Sequence, residues 1–239
     1  VSGTAPQPAQ HDRPPPLRPA ADPGMGGCPG ERARRPAHRG PPMTPRGQET
    51  SARLLDAALA VHAELGHEGL TVQAVLDRSG VSLGSLYHHF GSATGLAAAL
   101  YDRCMAELLE AVVTDLRRAR TARTGVRAVV AAYLRFTREH PDAARYVHAS
   151  SYAAFLPQHA ARSAAAKAPR IEELYGWFAG HVAAGRIVDL PLVVLEGLVI
   201  GPPAELSRRW LAGAPGIDLA AAERTVPDLV WQGIRGPVD

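Results

Sequence analysis

Between Leu70 and Phe90 two short apolar-periodic segments flank a glycine, an arrangement that few folds accept. Thr71 stands ahead of Val72, Val75 and Leu76, with a hydroxyl able to accept an amide hydrogen bond at the start of a helix that ends near Ser79. Gly80 permits the positive φ of a sharp reversal, and Ser82 can cap a second helix running to Phe90. Val75, Val81 and Leu86 fall where one inward-facing residue per turn locks two helices at the crossing of a helix-turn-helix.

The flanking sequence is helical too. Leu54, Leu55, Ala58, Leu59, Val61 and Leu65 keep an i, i+4, i+7 spacing, predicting a helix over about 48–65 with Gly66 as its left-handed cap. Ser92 caps a fourth helix with Leu96, Ala99, Leu100, Cys104, Leu108 and Val112 on one face, expected to run to about Arg120 and to be followed by Gly125. The pattern resumes at Val126, stops at Pro141, and predicts further helices near 142–153, 158–184, 191–211 and 218–234. Pro202-Pro203 remove two amide donors and should kink or split the eighth helix. No segment carries strand alternation or hairpin chemistry. The expected fold is all-α with about nine helices.

Residues 1–45 stand apart. They hold 12 of the 21 prolines and Leu17 as their one leucine, isoleucine or phenylalanine, so they cannot build a core and read as a disordered, polyproline-prone tail. Six arginines there outnumber three acids; they could touch nucleic acid through counterion release, although a passive extension is the preferred reading. Val1 opens the chain while Met43 directly precedes the first periodic segment, which raises the expectation of a translation start near Met43. No run approaches the roughly 18 apolar residues of a membrane span, and the N-terminus lacks an apolar signal region. With only Cys28 and Cys104, in unlike settings, a reducing cytoplasmic location is expected. The common phosphate, dinucleotide and metal signatures are absent, as is any nucleophile–base pair, so neither an enzyme nor a cofactor is expected.

The second helix of the pair would show Ser82, Leu83, Ser85, Tyr87 and His88 outward. Short hydroxyls allow close approach to phosphates, and Tyr and His donate to phosphate or base edges. Here the stretch Leu70-Thr71-Val72 and Gly80-Val81-Ser82-Leu83-Gly84-Ser85-Leu86-Tyr87-His88-His89-Phe90 resembles the signature of the TetR (tetracycline-repressor-like) family of transcriptional regulators. With Arg53-Leu54-Leu55-Asp56-Ala57-Ala58, the resemblance covers about residues 48–108. It implies an N-terminal three-helix DNA reader, 46–108 with its helix-turn-helix at 71–90, and a larger helical domain, 109–239, for effector binding and dimerisation. It also implies a homodimer on near-palindromic double-stranded DNA, acting as a repressor released by a small molecule. Carried over, the DNA contacts fall on Ser82, Leu83, Gly84, Ser85, Tyr87, His88 and His89, with Thr71 meeting phosphate.

The chain departs from the family pattern in three places. Gly91-Ser92-Ala93-Thr94 replaces the stretch in which a phosphate-binding lysine is usual, Leu76 takes a small-alanine position, and His62 stands where helix one carries an aromatic. Between Arg46 and Leu100 three arginines face five acids, which is unusual for a DNA reader. The alternative is therefore a TetR-like interaction protein that has lost DNA binding and works through protein partners.

Ten of the thirteen aromatics follow Gly125, as suits an apolar pocket with a few polar tips. Tyr133, Tyr152, Phe155 and Trp177 are the candidate pocket walls, with His148 and His181 as possible orienting groups. Adjacent His88 and His89 point about 100° apart on a helix, which argues against a metal site. Cys104 on the apolar face reads as core in preference to a redox sensor, and Arg117, Arg118, Arg120 and Arg123 as a solvated face in preference to a second DNA site. The segments 192–211 and 219–234 carry more apolar surface than one subunit can hide, which predicts pairing with their copies in a four-helix bundle.

Overall fold

The computed structural model describes residues 44–150 and 156–238. These form nine helices: α1 (Pro45–Gly69), α2 (Val72–Ser79), α3 (Leu83–Phe90), α4 (Ala93–Leu116), α5 (Ala122–Glu139), α6 (Pro141–Ser150), α7 (Leu156–Ala183), α8 (Leu192–Leu211) and α9 (Leu219–Ile234). The single β-type pairing among the described residues is the bridge between Ile187 and Arg235. No helix among them is long and apolar enough to cross a membrane. Residues 1–43 of the tail, Cys28 and Met43 among them, and Tyr152 and Phe155 lie outside the described residues, while Thr44 and Pro45, expected in the tail, begin α1.

Capping side chains set most of the boundaries. Helix α1 starts three residues earlier than expected, because Pro45 occupies the first turn and Thr44 Oγ1 accepts from the Gly47 amide at 3.3 Å. It runs regularly to a break at Gly66 (φ 71°), beyond which one more turn reaches Gly69. Helix α4 stops at Leu116, short of Arg120: Ala119 N donates to Leu116 O, and Thr121 then opens α5 through a reciprocal capping box with Thr124. Gly125 therefore sits inside α5 and is no break. Its missing side chain lets the Trp177 indole of α7 lie against the helix, where an added Cβ would come 2.0 Å from Trp177 Cζ2. Pro141 likewise begins α6, a first-turn position where its absent N–H has no partner to lose.

Of the kink or split expected in α8, the split does not occur. Pro202 and Pro203 lie within one helix because Leu195, Val199, Pro203 and Ser207, spaced four apart, form a single buried stripe that tertiary packing holds in place. Ser207 and Thr137 share a buried hydroxyl hydrogen bond of 2.8 Å that ties α8 to α5.

Helix α5 is central, packing on α4, α8 and α9, while α7 lies along α4. The α1–α3 group seats on α4 and α6. At that seat His62 of α1 is buried with its ring edge-on to Tyr146 of α6, centroids 4.8 Å apart. Tyr146 Oη donates to Ala97 O of α4 at 2.9 Å. The helix-one aromatic position thus works as a plug at a three-helix junction.

Candidate functional site

The first candidate site is the surface of α3. Thr71 Oγ1 accepts from Ala74 N at 3.2 Å and so starts α2, which Gly80 closes in the left-handed region (φ 65°, ψ 18°). The turn is held from both sides. Ser79 Oγ accepts from Val81 N, and Arg53 of α1 donates to Ser79 O at 2.8 Å, satisfying a carbonyl at the end of α2. Ser82 Oγ then accepts from Ser85 N and opens α3. Val75 and Leu86 are fully buried and Val81 half-buried, so the inward face is anchored on Leu54, Ala57 and Ala58 of α1. Leu76 is accommodated as a half-buried residue against the same core.

Anchoring Leu86 turns the opposite face of α3 to solvent. Leu83 is 48% and Tyr87 45% exposed, and Thr71, Ser82, Gly84 and His88 are exposed beside them. Ser85 and His89 are half-buried: Ser85 Oγ lies 3.1 Å from Ser82 Oγ, and the His89 ring leans between His88 and Phe90. Leu83 and Tyr87 thus present an apolar and an aromatic side chain on one exposed face of α3, groups able to meet base edges.

The charges near this face are largely spent within the fold. Arg78 pairs with Glu64 at 2.5 Å and holds that carboxyl below its ordinary range. Arg53 is committed to the turn carbonyl. Where the family's lysine is usual, Gly91 ends α3 and Ser92 caps α4 by accepting from Gly95 N at 2.9 Å. What this face offers a partner is hydroxyls, ring donors and helix-end amides. No group of three His, Cys, Asp or Glu side chains that could hold a metal ion occurs among the described residues.

The second candidate site is a cavity of about 450 Å³ enclosed by α4, α5, α7 and α8. Its walls are apolar: Met105, Leu108 and Val112 from α4, Val129 from α5, Ile171, Leu174 and Phe178 from α7, and Leu195, Val199 and Ile200 from α8. The polar atoms reaching it belong to Tyr101, Tyr133, Lys167, Tyr175 and Glu196. This is the size and balance of a small-molecule pocket.

Of the candidate pocket residues, Tyr133 lines this cavity, its hydroxyl 3.4 Å from His148 Nε2 and its pKa pushed up to about 12 by burial. Burial likewise lowers the pKa of His148. Trp177 does not line this cavity; it covers Gly125 and meets the Phe178 and His181 rings edge-on. On α7 the cavity takes positions 167, 171, 174, 175 and 178, and residue 177 points about 100° away from 178. His181 accepts from Arg186 Nε at 3.0 Å, outside the lining. Sequence reasoning missed Tyr101, Lys167, Tyr175 and Glu196; the spacing along α7 from Lys167 to Phe178 was the available signal.

The remaining sequence candidates take structural places. Cys104 is buried, and burial chiefly raises its thiol to about 12, so it is unreactive core. Arg117 forms a two-pronged pair with Glu173, Arg118 pairs with Asp115, and Arg123 with Asp228, as expected of a solvated face.

Comparison with known proteins converges on the same parts. Residues 54–100 match the sequence model of the bacterial regulatory proteins of the tetR family. The HTH-type transcriptional activator FasR of Mycolicibacterium smegmatis is 26% identical over 186 residues, covering 78% of this chain and 83% of that protein. A TetR family transcription regulator from Marinobacter aquaeolei superposes with a TM-score of 0.65 at 21% identity, covering 80% of this chain and 98% of the other. The regulator FadR from Bacillus subtilis, solved in complex with stearoyl-CoA, gives 0.65 at 20% identity, covering 77% and 98%. With its capped reader, its helical body and these likenesses together, the chain carries over residues 54–100 the DNA-binding domain of the tetR family of bacterial regulatory proteins and is a DNA-binding transcriptional regulator.

Proposed function

We propose that the chain works as a cytoplasmic homodimeric repressor that holds a near-palindromic duplex site through α3 and releases it when a small apolar molecule enters the α4–α5–α7–α8 cavity. Residues 46–108 act as the reader and 109–239 as the effector-binding and dimerisation part. Thr71, Ser82, Leu83, Gly84, Ser85, Tyr87, His88 and His89 form the DNA-facing set. The observation that carries this reading is the exposed Leu83 and Tyr87 on a helix whose opposite side is locked by Leu86. The stearoyl-CoA bound by FadR favours an apolar effector for a cavity of this lining.

Helix α4 supplies the coupling. It starts at the Ser92 cap beside α3 and walls the cavity with Tyr101, Met105, Leu108 and Val112, so a ligand that prefers one placement of α4 biases the reader. Dimerisation is supported by apolar side chains on α8 and α9 that no packing covers, Val193 at 71% and Leu229 at 69% exposure among them. Pairing with a second copy would bury them and set two α3 helices about one duplex turn, roughly 34–36 Å, apart.

Selection of genomic fragments on the purified protein tests the proposal. An enriched near-palindrome, lost with Tyr87→Ala and His88→Ala while the thermal midpoint holds, supports it. No enriched site would favour an interaction protein without DNA binding. A reporter fused to the selected site reads the sign: expression that rises on deletion of this protein fits a repressor, and expression that falls makes it an activator.

A further inference from the structure

One charge in the cavity wall is left uncommitted by the fold. Along the seam of α4 and α7 the arginines are matched: Arg162 with Asp102 at 3.3 Å, Arg170 with Glu110 at 2.9 Å and Arg117 with Glu173 at 2.7 Å. Lys167, the sole lysine of the chain, breaks this series. It lines the cavity with Nζ 5.6 Å from the centre of the Tyr101 ring, and among the described residues no carboxylate forms an ion pair with it. Lys167 is half-buried, so its ammonium keeps some water, and the aromatic face beside it leaves room for an anionic partner on the cavity side. The cavity's one carboxylate, Glu196, already accepts from Tyr175 Oη.

The shape adds the rest. Helices α4 and α7 run the same way, since Asp102 faces Arg162 and Glu110 faces Arg170. The walls from Tyr101 to Val112 and from Lys167 to Phe178 therefore extend side by side for about 16 Å. Lys167 and Tyr101 stand at one end; beyond them Leu108, Val112 and Phe178 are hydrocarbon, and the remaining polar groups of the lining are Tyr133 and the mutually bonded Tyr175 and Glu196.

We propose that Lys167 is an anion anchor, and that the effector is a slender apolar chain ending in a single carboxylate. This rests on the cavity being the effector site. The acid binds with its head at Lys167 and its chain along α4 and α7 toward Phe178. Calorimetry with dodecanoate, methyl dodecanoate and dodecylamine on the full chain is the test. The acid is expected to bind, and the ester and amine to bind at least about tenfold more weakly. Lys167→Met should weaken the acid by about ten- to a hundredfold and leave the ester unchanged, while Lys167→Arg keeps most of the affinity. Because the chain has one lysine, amine-reactive labelling followed by peptide mass spectrometry reads the contact directly, and dodecanoate should protect Lys167.

Val112→Trp, which fills the cavity, separates the two claims. If it abolishes binding while Lys167→Met changes nothing, or while ester and acid bind alike, the anchor is wrong and the cavity stands. Dodecanoate binding that survives Val112→Trp overturns both. Absence of binding by the acid overturns the anchor, as does tight binding of dodecanoyl coenzyme A that survives Lys167→Met.

Discussion

Gly125→Ala is expected to change sign with its partner. A methyl group added at Gly125 would lie 2.0 Å from Trp177 Cζ2 and 2.3 Å from Cη2. Comfortable carbon contacts lie near 3.5–4.0 Å, so the indole must retreat by more than about 1 Å or α5 and α7 must separate. Within a helix, Gly to Ala otherwise stabilises by about 0.8–1.0 kcal/mol. Forcing a group into filled space costs about 1–3 kcal/mol. The indole is rigid and already braced by Phe178, centroids 5.0 Å apart, and His181, 4.2 Å apart, so crowding wins. The net loss should be about 1–2 kcal/mol. In a Trp177→Leu background the obstacle is gone, and Gly125→Ala should stabilise by up to about 1 kcal/mol. Urea unfolding of the four proteins, followed by far-ultraviolet circular dichroism, completes the cycle. The same sign in both backgrounds would refute the claim that Trp177 is what requires a glycine.

Three further outcomes follow from particular contacts. Ser92→Ala removes the acceptor for Gly95 N and should cost about 1 kcal/mol in denaturant unfolding, whereas Ser92→Asp should retain most of it. Burial, with His67 and Arg145 nearby, holds the His62 pKa below its ordinary value against the opposing Asp142, so the folded protein binds fewer protons than the unfolded chain. Stability should therefore fall as pH drops below about 6.5, and His62→Phe should flatten that slope in thermal melts between neutral pH and pH 5. His148 and His181 are lowered in the same direction and leave a residual slope. Leu229→Asp puts a charge on the exposed α9 face; sedimentation should show a shift toward monomer with the helical signal intact, and an unchanged mass would remove the proposed dimer face.

Local chemistry was legible where it acts within a few residues. Thr71, Gly80, Ser82 and Ser92 announced their caps and turn because a capping hydroxyl and a positive φ are requirements of the adjacent backbone alone. The α3 face was readable for the same reason: once Leu86 points inward, the helix period fixes which neighbours point out. The alternation of helices and the all-α class came from that periodicity as well.

What escaped the sequence depended on distant partners. Gly125 looked like a break, and only the arrival of Trp177 from α7 explains it. Pro202 and Pro203 looked like a split, and only burial of the 195–199–203–207 stripe keeps α8 whole. Trp177 looked like a pocket wall because aromatic content says nothing of direction, whereas Lys167 and Tyr101 became cavity residues through the side-by-side run of α4 and α7. Periodicity along one chain segment sets which side of a helix is apolar. Which helix meets that side, and whether the meeting leaves a void or fills it, is set by packing between residues some 50 to 70 positions apart, and it exists only in the folded protein.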